Sequence, residues 1–242
     1  MRSLYLLTIL MAGVPVAAKE QPAGYLNAQQ IKGLLQLIPP PPEPGSPQDK
    51  LDQQRYRQSA AGAGSAAWQR ASDQKSVNSA GYRQHLSCAL GATVDPKSAP
   101  IVSAVLGRAM ADAAPAYATA KDYFQRERPF TTDAGRTCDP DSARNNGVQL
   151  GYAYPSGHAT TGVLWSLILA DILPKRRAAA LAFGKETGDL RVACRVHWQS
   201  DVVAGQQLGS KIYKLISVTP AYKADIAKAR SELATSPMPR NC

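Results

Sequence analysis

An all-α, single-domain helical bundle is the fold class that this sequence predicts. Three observations predict it. Apolar residues recur at helical spacing along most of the chain, cap-forming residues stand where those runs begin, and no stretch alternates convincingly between apolar and polar residues as a half-buried strand would. No internal repeat divides the chain. Its 242 residues, 44% hydrophobic and 19% charged, suffice for a sizeable core and are too apolar for a disordered chain.

The first 18 residues read as an export signal. Arg2 supplies a positive start, Leu4 to Val14 a short apolar run interrupted by Pro15, and Val16-Ala17-Ala18 the small residues of a cleavage site after Ala18. No cysteine follows the cut, which argues against a lipoprotein. The expected mature domain is therefore 19–242, in the periplasm.

From there the elements run in order. Leu26, Ile31, Leu34, Leu35 and Ile38 predict a helix over 25–38. Pro39 to Gly45 breaks it with an extended polyproline connector. Ser46-Pro47, a cap followed by proline at the first helical position, opens a helix towards Ser59, and Gly62 and Gly64 loosen its end. Further helices are expected at 66–72 and 82–90. Asp95-Pro96 opens a long one towards Arg128, bent at Pro115. Residues 130–155, rich in Thr, Asp, Gly, Asn and Pro, read as a long functional loop that Cys138 pins. Helices at 156–173, 174–192, 198–218 and 220–233 complete the bundle.

Charge narrows the partners. With 28 Lys+Arg against 18 Asp+Glu, the formal net charge of +10 favours anionic ones: nucleic acid, a membrane surface, or small phosphorylated or carboxylated molecules. After the N-terminus no apolar run reaches the length of a bilayer span, which excludes a multi-span membrane enzyme. The three histidines, His85, His158 and His197, cannot fill two zinc sites. Four cysteines, Cys88, Cys138, Cys194 and Cys242, lack close CxxC spacing and read as two disulfides, with three connectivities open.

Three clusters carry chemistry. In Lys121-Asp-Tyr-Phe-Gln-Arg-Glu-Arg128-Pro129, Lys121 and Arg128 are seven apart, which on a helix puts both on one face. Pro129 marks the helix end. Two such cations make a phosphate clamp or a solvated basic face. In Tyr154-Pro155-Ser156-Gly157-His158, Ser156 caps a helix whose first amides form an anion site beside His158, or else the histidine is incidental. In Arg191-Val-Ala-Cys194-Arg195-Val-His197-Trp-Gln-Ser-Asp201, one helical turn brings Asp201 to His197. A carboxylate on one ring nitrogen leaves the other nucleophilic or basic, and a merely structural pair is the alternative.

Taken together, Lys-x6-Arg-Pro, Pro-Ser-Gly-His and Arg-x5-His-x3-Asp resemble the signature of the type 2 phosphatidic acid phosphatase superfamily, and most nearly its bacterial class A non-specific acid phosphatases. The Pro39–Ser46 segment, Leu86-Ser-Cys-Ala-Leu-Gly91 and His197-Trp-Gln-Ser-Asp-Val202 are similar as well. The resemblance implies an all-α bundle and a phosphate monoesterase. In it His197 is the nucleophile, Asp201 orients it, and His158 is the general acid. Lys121, Arg128, Arg191, Ser156 and Gly157 hold the phosphate, with no metal or cofactor. It further implies small phosphorylated substrates, no nucleic acid, no stable membrane insertion and a homodimer or larger assembly.

Two departures stand out: Leu190 replaces the usual Ser before the third-motif Arg, and Arg195 stands where a small residue is common. His85 matches no motif and reads as structural. For the disulfides, the pairing expected is Cys88–Cys194 and Cys138–Cys242. Other readings of the same residues are a vanadium-dependent haloperoxidase, a lipid phosphatase, or a non-enzymatic basic anion-binding exported protein.

Overall fold

Most helices begin where a capping side chain stands. The computed structural model describes residues 23–132, 135–140, 151–240 and 242, and among them there is no strand. The expected signal segment, 1–18, lies outside the described residues, as does 141–150 of the expected loop. No helix of the described residues is long and apolar enough to cross a membrane.

Helix α1, Ala28–Gly33, is shorter than its apolar pattern suggests and passes into a 3-10 turn at Leu34–Leu37. The cause is tertiary: the backbone N–H groups of Tyr25 and Leu26 donate to the buried Asp112 carboxylate (2.8 and 3.2 Å), so the helix starts only at the Asn27 cap. Ile38 is extended before Pro39, as a residue preceding proline must be. Helix α2, Pro47–Ser59, carries the expected Ser46 cap and N-terminal proline. Helices α3, Ala66–Asp73, and α4, Ala80–Leu90, start at the Ser65 and Ser79 caps, and Gly91 ends α4 at φ 63°.

Helix α5, Pro100–Phe124, corrects both expected boundaries. Asp95 accepts from the Lys97 and Ser98 N–H groups (2.8 and 3.1 Å), which holds that stretch as a turn. At the other end Gln125 adopts φ 47° and stops the helix four residues short of Pro129. Pro115 lies inside the continuous helix. A short α6, Pro129–Thr132, comes next. Then come α7, Gly157–Ile172; α8, Arg177–Ala193, led in by a 3-10 turn at Pro174–Arg176; α9, Gln199–Ile216; and α10, Pro220–Ala234.

Helix α7 is the centre of the bundle. Eleven of its 16 residues are buried, so it is apolar nearly all round rather than on one stripe. Glycines let α8 and α9 close on it: a Cβ on Gly184 would lie 2.5 Å from the Gly162 carbonyl oxygen, and one on Gly205 would lie 2.4 Å from that of Ser156. The start of α9 is thereby pressed against the start of α7, where the Ser156 N–H donates to the Asp201 carbonyl (2.9 Å). The main core runs between α5, α7, α9 and α10 through Leu164, Ile168, Leu208 and Ile212.

The disulfides are Cys138–Cys194 and Cys88–Cys242, not the pairing expected from the sequence. Backbone pairing explains it. The Cys138 N–H donates to the Cys194 carbonyl (3.1 Å), which brings their Cα atoms to 4.7 Å. The C-terminal tail lies along α4, with the Thr93 N–H on the Pro237 carbonyl (3.1 Å) and the Gln84 amide on that of Arg240 (2.7 Å). That course delivers Cys242 to Cys88.

Candidate active site

The two cations of the first motif do not share a helix face. Lys121 lies in the last turn of α5, whereas Arg128 follows the left-handed Gln125 in non-helical chain. The reversal still brings them together, because Lys121 Nζ and an Arg128 guanidinium nitrogen (3.3 Å) donate to one acceptor, the Tyr152 carbonyl. Arg128 is buried and aimed by its other donors: Nε to the Gly151 carbonyl, and one terminal nitrogen to the Val196 carbonyl (both 2.8 Å) and to His197 Nε2 (3.2 Å).

His197 precedes α9 rather than lying on it. Its Nδ1 meets Asp201 Oδ2 at 3.2 Å, and the same oxygen accepts the Trp198 N–H at 2.8 Å. Asp201 is thus held at the helix start, where the backbone dipole favours a carboxylate. With Nδ1–H donated to Asp201, the lone pair of His197 is on Nε2, the nitrogen facing Arg128.

Ser156 is fully buried and caps α7, accepting the Ala159 N–H (3.4 Å), with Gly157 as the first helical residue. His158 comes next, and its Nε2 meets the Lys75 carbonyl at 3.1 Å. Arg191, in the last turn of α8, is buried and donates to the Ala71 carbonyl (2.7 Å). All eight residues expected at the site therefore gather at one place, where the starts of α7 and α9 meet the ends of α5 and α8.

Their electrostatics follow from crowding cations in a buried site. Burial, then Arg128, Lys121, Arg191 and Arg126, hold the His197 imidazole well below its ordinary pKa, so it is neutral. His158 is lowered by burial, then by Arg191 and His197, against the opposing pull of the Lys75 carbonyl. Burial and the neighbouring Arg128 bring Lys121 down to about 7. Burial foremost brings Arg128 and Arg191 each to about 10. Burial pushes the Asp201 carboxyl up, and Arg126 with the Trp198 N–H pulls it back. An anion entering this cluster would relieve the mutual repulsion.

A supporting network was not read from the sequence. Arg126 donates to Asp201 Oδ1 (2.6 Å), to Ser200 Oγ (2.6 Å) and to Asp52 Oδ2 (2.9 Å). Asp52, fully buried on α2, also accepts the Ser200 N–H (3.0 Å) and the Ser200 hydroxyl. Asp52, Arg126 and Asp201 therefore form a chain of charges, with both carboxylates fully buried, that ends on His197. Arg126 lay within the first motif, but nothing local ties Asp52 to it across 74 positions.

Leu190 packs in a small core with Trp68, Phe130, Val196 and the Cys138–Cys194 bridge. Arg195 is buried, its guanidinium 4.1 Å above the Tyr56 ring. His85 lies outside the cluster, between Asp73 (3.3 Å) and Arg70 (3.4 Å). Among the described residues, no group of three or more His, Cys, Asp or Glu side chains could hold a metal ion.

A helical bundle with two histidines, one backed by a carboxylate, in a ring of lysine and arginines defines an anion-handling enzyme. The chain belongs to the PAP2 superfamily, whose model matches residues 100–224, a span containing all eight site residues. It is 32% identical to the non-specific acid phosphatase of Salmonella typhimurium (strain LT2) over 96% of this chain and 93% of that protein. It is equally identical, 32%, to the non-specific acid phosphatase of Providencia stuartii over 87% and 84% of the two chains. To the acid phosphatase of Zymomonas mobilis it is 31% identical over 82% and 75%.

Proposed function

We propose that the protein hydrolyses small phosphate monoesters without a metal, through a phosphohistidine on His197. That it is an acid phosphatase rests on family membership and on relatives of that name aligned over most of its length. The observation carrying the mechanism is the division of the His197 ring: Nδ1 on Asp201, Nε2 turned to the cations.

In the first half-reaction His197 Nε2 attacks phosphorus and the ester P–O bond breaks. The leaving oxygen takes a proton from His158. Lys121, Arg128, Arg191 and the α7 start at Ser156–Gly157 face the three equatorial oxygens, where transition-state charge spreads. Water then attacks the phosphohistidine, His158 accepts its proton, and inorganic phosphate departs with His197 restored. Three cationic side chains supply the positive charge that a divalent ion supplies elsewhere.

Chelator is therefore expected to leave the rate unchanged and vanadate to inhibit competitively. Activity lost in chelator and restored by zinc or magnesium would sink the proposed site. The protein is read as exported after cleavage behind Ala18 and as a homo-oligomer. The two disulfides suit an oxidising compartment.

The cation ring also sets the pH dependence. In the free enzyme His158 is held low, so the protonated acid form is lost as pH rises through that lowered value. Bound phosphate adds negative charge and raises it. The basic limb of kcat/KM is expected at lower pH than that of kcat, since the first reports free enzyme and the second the complex. Coincident basic limbs would remove His158 from the acid's role.

A further inference from the structure

A groove of about 410 Å³ opens between α4, α5 and α7, lined by Tyr82, Leu86, Leu106, Met110, Ala114 and Trp165. Its volume falls in the range of small-molecule sites. Three separate stretches of chain run from His158 into it. The first is the turn after α3: the Lys75 carbonyl holds the His158 ring, and Asn78, three residues on, lines the groove.

The second is α5. The Tyr117 ring comes within 3.3 Å of where a Cβ on Gly157 would be, and Ala114, one turn earlier, lines the groove. The third is α7 itself, where His158, Thr161 and Trp165 are spaced by three and four and so share one face. The Thr161 hydroxyl donates to the Met110 sulfur (3.5 Å), and Trp165 lies seven residues from His158, about 10 Å along the axis.

We propose that this groove receives the ester group of the substrate, and that the enzyme prefers phosphate monoesters whose ester group is extended and apolar. The inference rests on His158 serving as the acid. The leaving oxygen must lie beside His158, so the carbon chain attached to it starts at the groove's near end. The chemistry of the walls then selects among such chains. The Trp165 indole N–H is already donated to the Leu106 carbonyl (3.1 Å), and the Thr161 hydroxyl to sulfur. Trp165 thus meets a ligand with apolar surface and with its polar atom already partnered, and the charged residues of the lining are engaged as well, Arg83 with the Asn78 carbonyl and Asp95 with the Lys97 and Ser98 N–H groups. Such walls reward methylene groups over sugar hydroxyls. Each buried methylene strengthens binding by at most about fourfold.

The test compares kcat/KM for ethyl phosphate, decyl phosphate below its micelle concentration, and glucose 6-phosphate. Ethyl and decyl alcohols leave with nearly equal intrinsic ease, so their ratio isolates recognition of the chain. We expect decyl phosphate to exceed ethyl phosphate by at least about tenfold, with glucose 6-phosphate near ethyl phosphate. Ala114→Phe, which fills the groove, and Ala111→Asp, which charges it without overfilling, should bring the ratio towards one at an unchanged ethyl phosphate rate.

A flat ratio in the wild type, with ethyl phosphate turned over, overturns the groove assignment alone. So does a high ratio that both variants preserve, including the case in which they change the mass of the assembly because a second copy covers the groove. No turnover of any ester overturns the phosphatase reading along with it.

Discussion

His197→Ala is expected to abolish turnover of every ester and to leave no trappable phosphoenzyme, because the proposed covalent bond is to its Nε2. His158→Ala should behave differently. The acid donates only to the leaving oxygen, so its worth depends on the leaving group. Nitrophenolate departs without a proton, whereas an alkoxide does not. The His158 variant should lose roughly a hundred- to ten-thousand-fold on an alkyl phosphate and far less on nitrophenyl phosphate. It should still form a phosphohistidine with the latter. Acid quench with a labelled aryl phosphate, followed by peptide mapping, checks both variants. Label on His158, or equal losses on both esters, would overturn the division of labour.

The second large effect is expected from Asp201→Asn, which keeps the shape and removes one acceptor. Asp201 Oδ2 accepts from the His197 ring and the Trp198 N–H, and Oδ1 accepts from Arg126. An amide cannot serve both sides. With its oxygen towards His197, its NH2 faces the Arg126 guanidinium. Turned about, it confronts the Trp198 N–H and forces the imidazole proton onto Nε2, which removes the nucleophilic lone pair. A wrong tautomer behind a catalytic histidine costs about ten-thousand-fold in kcat. Steady-state kcat on a variant shown to be folded by circular dichroism, with nitrogen NMR of the His197 ring, is the measurement. A wild-type rate would remove Asp201 from the orienting role.

Between them, Arg126 and Asp52 show why part of the site stays invisible in the sequence. Lys121, Arg128, Ser156, Gly157, His158, Arg191, His197 and Asp201 could be named as candidates because spacing and neighbouring prolines and glycines mark them within a few residues. How they meet was less legible. Lys121 and Arg128 converge on the Tyr152 carbonyl through a chain reversal at Gln125, where a continuous helix was expected. Asp201 reaches His197 as the third residue of a helix that His197 does not enter.

The sequence by itself determined the all-α class, most helix starts and which eight residues are proposed for the site. Caps, prolines and apolar periodicity act over one or two turns, so their consequences are local. Only the tertiary structure decided where α1 begins, how the cysteines pair, and that Asp52 and Arg126 stand behind Asp201. Those outcomes depend on backbone and carboxylate groups brought together from far along the chain. The Asp112 carboxylate takes the N–H groups that would have begun α1, and the Cys138 N–H finds the Cys194 carbonyl. A buried polar group must find a partner, and packing, not sequence neighbourhood, supplies it.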